Sequence, residues 1–136
     1  MHVAAITGFS GAGKTTLIVQ LIEHFRREGK RIGAIKHTHH PLNEENRGDT
    51  ARFRAAGAEP VILANASEGA VIFRASGTSR VNYSAPRELL AHCSDCDVVL
   101  VEGFKQLGDW PKLEIARDAR PSLEEVLAIL DRIWRS

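Results

Sequence analysis

Residues 8–15 read G-F-S-G-A-G-K-T, a full match to the phosphate-loop pattern G-x-x-x-x-G-K-[ST]. A segment of this kind holds the triphosphate of a nucleotide. Glycines at 8, 11 and 13 let the backbone bend until successive N–H groups point inward at phosphate oxygens. The helix that must follow adds its own free N–H groups and the positive end of its dipole. Lys14 then reaches the β and γ phosphates, and the Thr15 hydroxyl ligates Mg²⁺. Thr16 supplies a further donor toward the α phosphate. The candidate phosphate-binding residues are thus Gly8, Ser10, Gly11, Ala12, Gly13, Lys14, Thr15 and Thr16.

A phosphate loop needs an acidic partner on a neighbouring strand to complete its metal site. The apolar run D-V-V-L-V-E-G at 97–103 offers one in Glu102, at the carboxyl end, where ligands bind in open α/β sheets. Asp97 lies at the opposite end, about 16 Å away at ~3.3 Å per residue, too far to share the metal. Gly103 leaves room for a close approach. The candidate metal ligands are Thr15 and Glu102.

Three further segments carry polar chemistry. K-H-T-H-H at 36–40 reads three ways: a histidine metal cluster, a pair (Lys36 and His37) facing phosphates as donors or switch residues, or the start of a polar loop. In extended chain His37 and His39 point to one side and His40 to the other, which makes a three-ligand cluster awkward. In R-G-D-T-A-R at 47–52, Asp49 is either a helix cap or a catalytic carboxylate near Mg²⁺ or an attacking water, with Arg52 near phosphate. Cys93 and Cys96 form the one C-x-x-C. They read as a redox pair, as zinc ligands, or as two small residues at a helix end before a strand; zinc needs about four ligands, and a structural disulfide is disfavoured in a cytosolic protein, which favours the last.

The elements that would position these groups alternate. Residues 2–7 form a continuous apolar strand before the loop. A helix over 14–28 presents Leu17, Ile18, Leu21, Ile22 and Phe25 on one face, with Gly29 as its stop. Residues 31–36 form a second strand, and a short helix capped by Asp49 ends near Gly57. Residues 60–65 and 69–75 read as a hairpin, 85–93 as a short helix with Pro86 in its first turn, 97–101 as a strand, and 113–116 as one more. Ser122 and Glu125 form a capping box for the last helix, whose apolar face is Leu123, Val126, Leu127, Leu130, Ile133 and Trp134. This order predicts an α/β fold of P-loop NTPase-like, three-layer type: a mostly parallel sheet, helices on both faces, and a hairpin extension. The hairpin carries apolar residues on both faces (Val61, Ile62, Leu63, Val71, Ile72, Phe73), which a small domain can hardly cover alone; this predicts a homodimer.

The 136 residues fit one domain, 1–136, and 43% hydrophobic content suits a packed core. A net charge of +1, from 18 basic and 17 acidic residues, argues against a dedicated nucleic-acid or membrane-surface binder. No run approaches a membrane span, and the N-terminus lacks the basic region of a signal peptide, so a cytoplasmic location is expected.

GFSGAGKTTL at 8–17, IKHTHH at 35–40, GDTARFRAAGA at 48–58 and VEGFK at 101–105 together resemble the B protein of molybdopterin-guanine dinucleotide biosynthesis, the MobB family, in order and spacing over roughly residues 2–105. The resemblance implies a GTP-binding, Mg²⁺-dependent, dimeric P-loop protein with slow hydrolysis, an accessory to a MobA-like nucleotidyltransferase that joins a guanine nucleotide to molybdopterin. It carries the site over to Gly8 through Thr16 and to Glu102; Lys36, His37, Asp49 and Lys105 match family motif positions. Family members usually continue past Leu113–Arg117 with another strand and a base-contacting loop, whereas this chain goes to a single helix. No N-K-x-D guanine signature occurs, so a GTP preference over ATP of less than about tenfold, ~1.4 kcal/mol, is expected. The same loop would serve a small-molecule kinase, whose lid would have only Arg117 and Arg120 over 106–122, or a non-catalytic nucleotide-dependent scaffold.

Overall fold

The computed structural model describes residues 1–8, 13–104, 110–116 and 119–135. Strand β1 (His2–Gly8) leads to helix α1 (Lys14–Arg27), then β2 (Ile32–His37), α2 (Gly48–Ala56), β3 (Val61–Asn65), β4 (Gly69–Arg74) and β5 (Gly77–Val81). A 3-10 helix (Pro86–Cys93), β6 (Val98–Glu102), β7 (Lys112–Ile115) and α3 (Leu123–Arg135) follow. The strands form one sheet in the order β5-β4-β3-β2-β6-β1-β7. Pairings among β3, β2, β6, β1 and β7 are parallel; β3–β4 and β4–β5 are antiparallel. This is the α/β class that the sequence predicts. Among the described residues no helix is long and apolar enough to cross a membrane.

Period-two alternation builds both cores. Ala4, Ile6, Ile32, Ala34, Val61, Leu63, Val71, Phe73, Val98 and Leu100 face α1, α2 and α3, where they meet Leu17, Leu21, Ile22, Phe25, Phe53, Val126 and Leu130. Ala5, Ile35, Ile62, Ile72, Val99 and Val101 face the other way, onto Leu89 of the 3-10 helix, Phe104 and Trp110. The three α-helices therefore share one face, and the short 85–93 helix covers the other as a 3-10 turn.

The local signals at helix ends hold. α1 stops before Gly29, whose φ of 81° suits glycine. The α3 capping box is reciprocal: the Ser122 amide donates to Glu125 Oε1 at 3.1 Å, and the Glu125 amide donates to Ser122 Oγ at 3.2 Å.

The hairpin departs from expectation twice. It gains a third strand, β5, whose G-T-S-R-V has no apolar alternation and is exposed at the sheet edge. Its two apolar faces are also covered within one chain: Val61, Ile62, Leu63, Val71, Ile72 and Phe73 are all buried, with Phe53 in the core on one side and Leu89 on the other. Uncovered hairpin faces therefore give no reason for a dimer.

Phe53 is fully buried and is the largest buried side chain of α2, the helix that also carries Asp49. Phe53→Ala is expected to cost about 3–5 kcal/mol in urea unfolding. Ser79→Ala, on exposed β5, should stay within about 0.5 kcal/mol. Equal effects would mean that α2 does not pack as described.

Candidate functional site

β6 lies between β1 and β2, so the phosphate loop after β1 and the carboxyl ends of β2 and β6 meet at one edge of the sheet. Register aligns the key residues: Glu102 sits beside Ile6 on one side and Lys36 on the other. Alternation continues the run of Ile32 and Ala34 to Lys36, and of Val98 and Leu100 to Glu102. Both side chains therefore emerge on the α1 face.

There they meet α1 and α2. Lys36 Nζ lies 2.8 Å from Asp49 Oδ2 and 3.1 Å from Glu102 Oε2. Thr15 Oγ1 is 3.2 Å from Asp49 Oδ2 and 3.5 Å from Glu102 Oε1. Glu102 is only 6% exposed, so this carboxylate is held by its partners and not by bulk water. Burial is the largest single influence on Lys36 and lowers its pKa. The Asp49 hydrogen bond and the pull of the two carboxylates outweigh it, and the net pKa is raised above 10.5. Lys14 Nζ donates to the Gly8 carbonyl at 3.0 Å, across the mouth of the loop.

Asp49 is not a helix cap. α2 starts at Gly48, its flanking residue is Arg47 in extended conformation, and no side chain caps it. Asp49 stands in the first turn with its carboxylate turned to Lys36 and Thr15, which tertiary contact favours over a local cap. Arg52 approaches Asp49 at 3.9 Å and is half exposed.

His37 does not share a side with Lys36. As the next residue of an extended strand it points to the opposite face, where it stacks on Phe104 at 4.4 Å and meets His39 edge-on at 4.9 Å. Burial, and secondarily the charge of His39, lowers its pKa below 6.5, and its Nε2 is buried without a partner. His40 turns away, its carbonyl accepting from Asn65 Nδ2 at 2.9 Å. Among the described residues no group of three His, Cys, Asp or Glu is placed to hold a metal ion. The histidine-cluster alternative therefore has no geometry behind it.

One neighbour of the site was not singled out by sequence: Phe104, which has a φ of 56° and closes over His37. Gly103, read as room for a close approach, precedes it at φ 95°, and what comes close is His37: a Cβ on Gly103 would fall 2.8 Å from His37 Cβ. The V-E-G-F order is the available signal: only glycine allows the chain to turn off the strand so close to β2. Ser10, Gly11, Ala12 and Lys105 lie outside the described residues, as does Arg117 of the segment a kinase lid would use. Gly13 is described at the amino end of α1, with φ 85°; Thr16 is the third residue of that helix.

An oxygen donor set of one hydroxyl and two carboxylates, beside a phosphate loop, fits Mg²⁺, which takes one or two carboxylates together with substrate phosphates. Strand order and site together define an α/β protein of P-loop NTPase-like class. The chain belongs to the MobB family: the family model described as molybdopterin guanine dinucleotide synthesis protein B matches residues 3–132. It is 39% identical over 102 residues to the molybdopterin-guanine dinucleotide biosynthesis adapter protein of Haemophilus influenzae, a match covering 74% of this chain and 56% of the relative. The adapter protein of the same name from Escherichia coli K12 is 33% identical over 126 residues, covering 92% of this chain and 71% of that one. The crystal structure of Bacillus subtilis MobB superposes with a TM-score of 0.52 at 25% identity, over 94% of this chain and 73% of the other. The chain thus spans little more than half the length of the Haemophilus relative.

Removing Lys36 leaves Asp49 and Glu102 facing one another without a cation. Lys36 is charged well below 10.5, so its contribution is complete across neutral pH and disappears only at higher, alkaline pH. Lys36→Met should therefore lower stability at pH 8 by on the order of 3 kcal/mol. The deficit should shrink toward about pH 11, where the wild-type ammonium itself begins to lose its proton. Urea unfolding at both pH values checks this; a deficit that does not change with pH would contradict it.

Proposed function

We propose that this chain binds GTP with Mg²⁺ at residues 8–16 and hydrolyses it slowly, as an accessory protein in molybdenum cofactor maturation. The observation that carries the reading is the convergence of Thr15, Asp49 and Glu102 around Lys36, beside a phosphate loop that ends in Lys14. In this reading Lys14 leaves the Gly8 carbonyl to bind the β and γ phosphates, and loop amides hold the phosphate oxygens. Thr15 and Glu102 would hold Mg²⁺, which neutralises phosphate charge when bound. Asp49 and Lys36 then flank the γ-phosphate side, Asp49 orienting the attacking water and Lys36 keeping both carboxylates in place.

Slow turnover suits the arrangement. Positioning and charge do most of the work in phosphoryl transfer, and an arginine aimed at the transferring group supplies the largest acceleration. Arg52 is turned to Asp49 and is half exposed, which does not supply that aim. The names of the Haemophilus and Escherichia relatives support an adapter role. The proposed partners are a MobA-like nucleotidyltransferase, molybdopterin, and a second copy of this chain in the cytoplasm.

Calorimetric titration of GTP and ATP with Mg²⁺ tests the site. GTP should bind, with a preference over ATP of less than about tenfold. Lys14→Ala should remove most of the binding. Unchanged affinity in that variant would take the phosphate loop out of the account; a hundredfold preference for GTP would reveal a base pocket that this reading lacks.

A further inference from the structure

Cys93 and Cys96 lie at the other end of the sheet from the nucleotide site, beside the start of β2. Cys93 closes the 3-10 helix, and the Cys96 amide donates to the Cys93 carbonyl at 2.9 Å. That tight turn sets the two side chains next to each other. Both sulfurs converge over Gly33: a Cβ at that position would meet Cys96 Sγ at 3.1 Å and Cys93 Sγ at 3.2 Å. The thiols are free, and the Cys96 thiol donates to the Glu59 carbonyl at 3.5 Å. Residues three apart across such a turn have the short Cα separation that a disulfide requires.

The pair also has an entrance. A cavity of about 330 Å³ reaches both cysteines. Arg26, Arg31 and Arg74 line it, against Glu59 and Asp95, so its wall is cationic on balance. Arg74 is anchored by donating to the His92 carbonyl at 2.5 Å.

The two thiols are not equivalent. Cys96 is 6% exposed and Cys93 1%. The hydrogen bond from Cys93, with the Arg74 charge, pulls the Cys96 thiol below its usual range despite burial. The same bond and burial push Cys93 up. This is the asymmetry of an attacking and a resolving cysteine.

We propose that Cys93 and Cys96 form a thiol–disulfide exchange site for small anionic disulfides of the glutathione class. Cys96 thiolate attacks one sulfur of the small disulfide; that S–S bond breaks, and one thiolate leaves and takes up a proton from water. Cys93 then gives up its proton, attacks Cys96 Sγ, and releases the second thiol. Two electrons and two protons pass from the protein to the small disulfide, and excess reduced thiol reverses both steps.

The test is intact-protein mass spectrometry after incubating the native chain with oxidised glutathione and quenching with acid. Expected is the loss of two hydrogens, reversed by reduced glutathione. Cys93→Ser should stop at a stable adduct of one glutathione on Cys96, and Cys96→Ser should react about tenfold slower or less. Circular dichroism checks that both variants fold. Should either not fold, peptide mapping of the adduct trapped early in the wild type decides, and it should sit on Cys96. The proposal is overturned if native wild type keeps both thiols under conditions that oxidise the urea-unfolded chain, or if the early adduct maps to Cys93.

Discussion

An ammonium held between two carboxylates organises the carboxyl edge of this sheet. Lys36 comes from β2, Glu102 from β6 and Asp49 from α2; both carboxylates are ion-paired to the ammonium, and Glu102 also accepts a hydrogen bond from it. In a largely buried setting such a cluster is strong only when every member is matched; removing one leaves an uncompensated charge. The register Lys36↔Glu102 sets the first pair without any loop. The first turn of α2 must then lie where Asp49 can reach across, and Phe53 one turn later fixes that helix against the sheet. Thr15 ties the cluster to α1, so four elements are held in one geometry beside the phosphate loop.

The strand order makes this possible. With β6 inserted between β1 and β2, the chain leaves the sheet to opposite sides around a shared crevice, the place where ligands bind in open α/β sheets. The opposite face does different work. Strict alternation sends His37 away from Lys36 into an aromatic stack with Phe104, next to Trp110. One strand thus ends in a charged residue toward Asp49 and Glu102 and an aromatic ring toward the second core.

Much of this was legible in the chain. The phosphate loop is local, eight consecutive residues whose spacing states its own chemistry. Glu102 was legible because an apolar strand ended in a carboxylate. Asp49 stayed open between a cap and a site carboxylate: its partner Thr15 lies 34 residues away and Lys36 on another strand, and a residue in a first helical turn looks like a cap until packing is known. The pairing of Lys36 with His37 failed for an equally physical reason, since neighbours on a strand face opposite ways. β5 left no trace because G-T-S-R-V buries almost nothing. The cover over the hairpin was invisible because it comes from Phe53 and Leu89, far away in sequence.

The central proposal is that Thr15 and Glu102 make the metal side of a nucleotide site, with Asp49 beside it. The most direct measurement is a crystal structure with a non-hydrolysable GTP analogue and Mn²⁺, reading the metal from its anomalous signal. The account predicts a peak beside Thr15 Oγ1 and the β and γ phosphates, with Glu102 as a direct or water-bridged neighbour. A metal bound elsewhere, or a nucleotide that does not occupy residues 8–16, would contradict it.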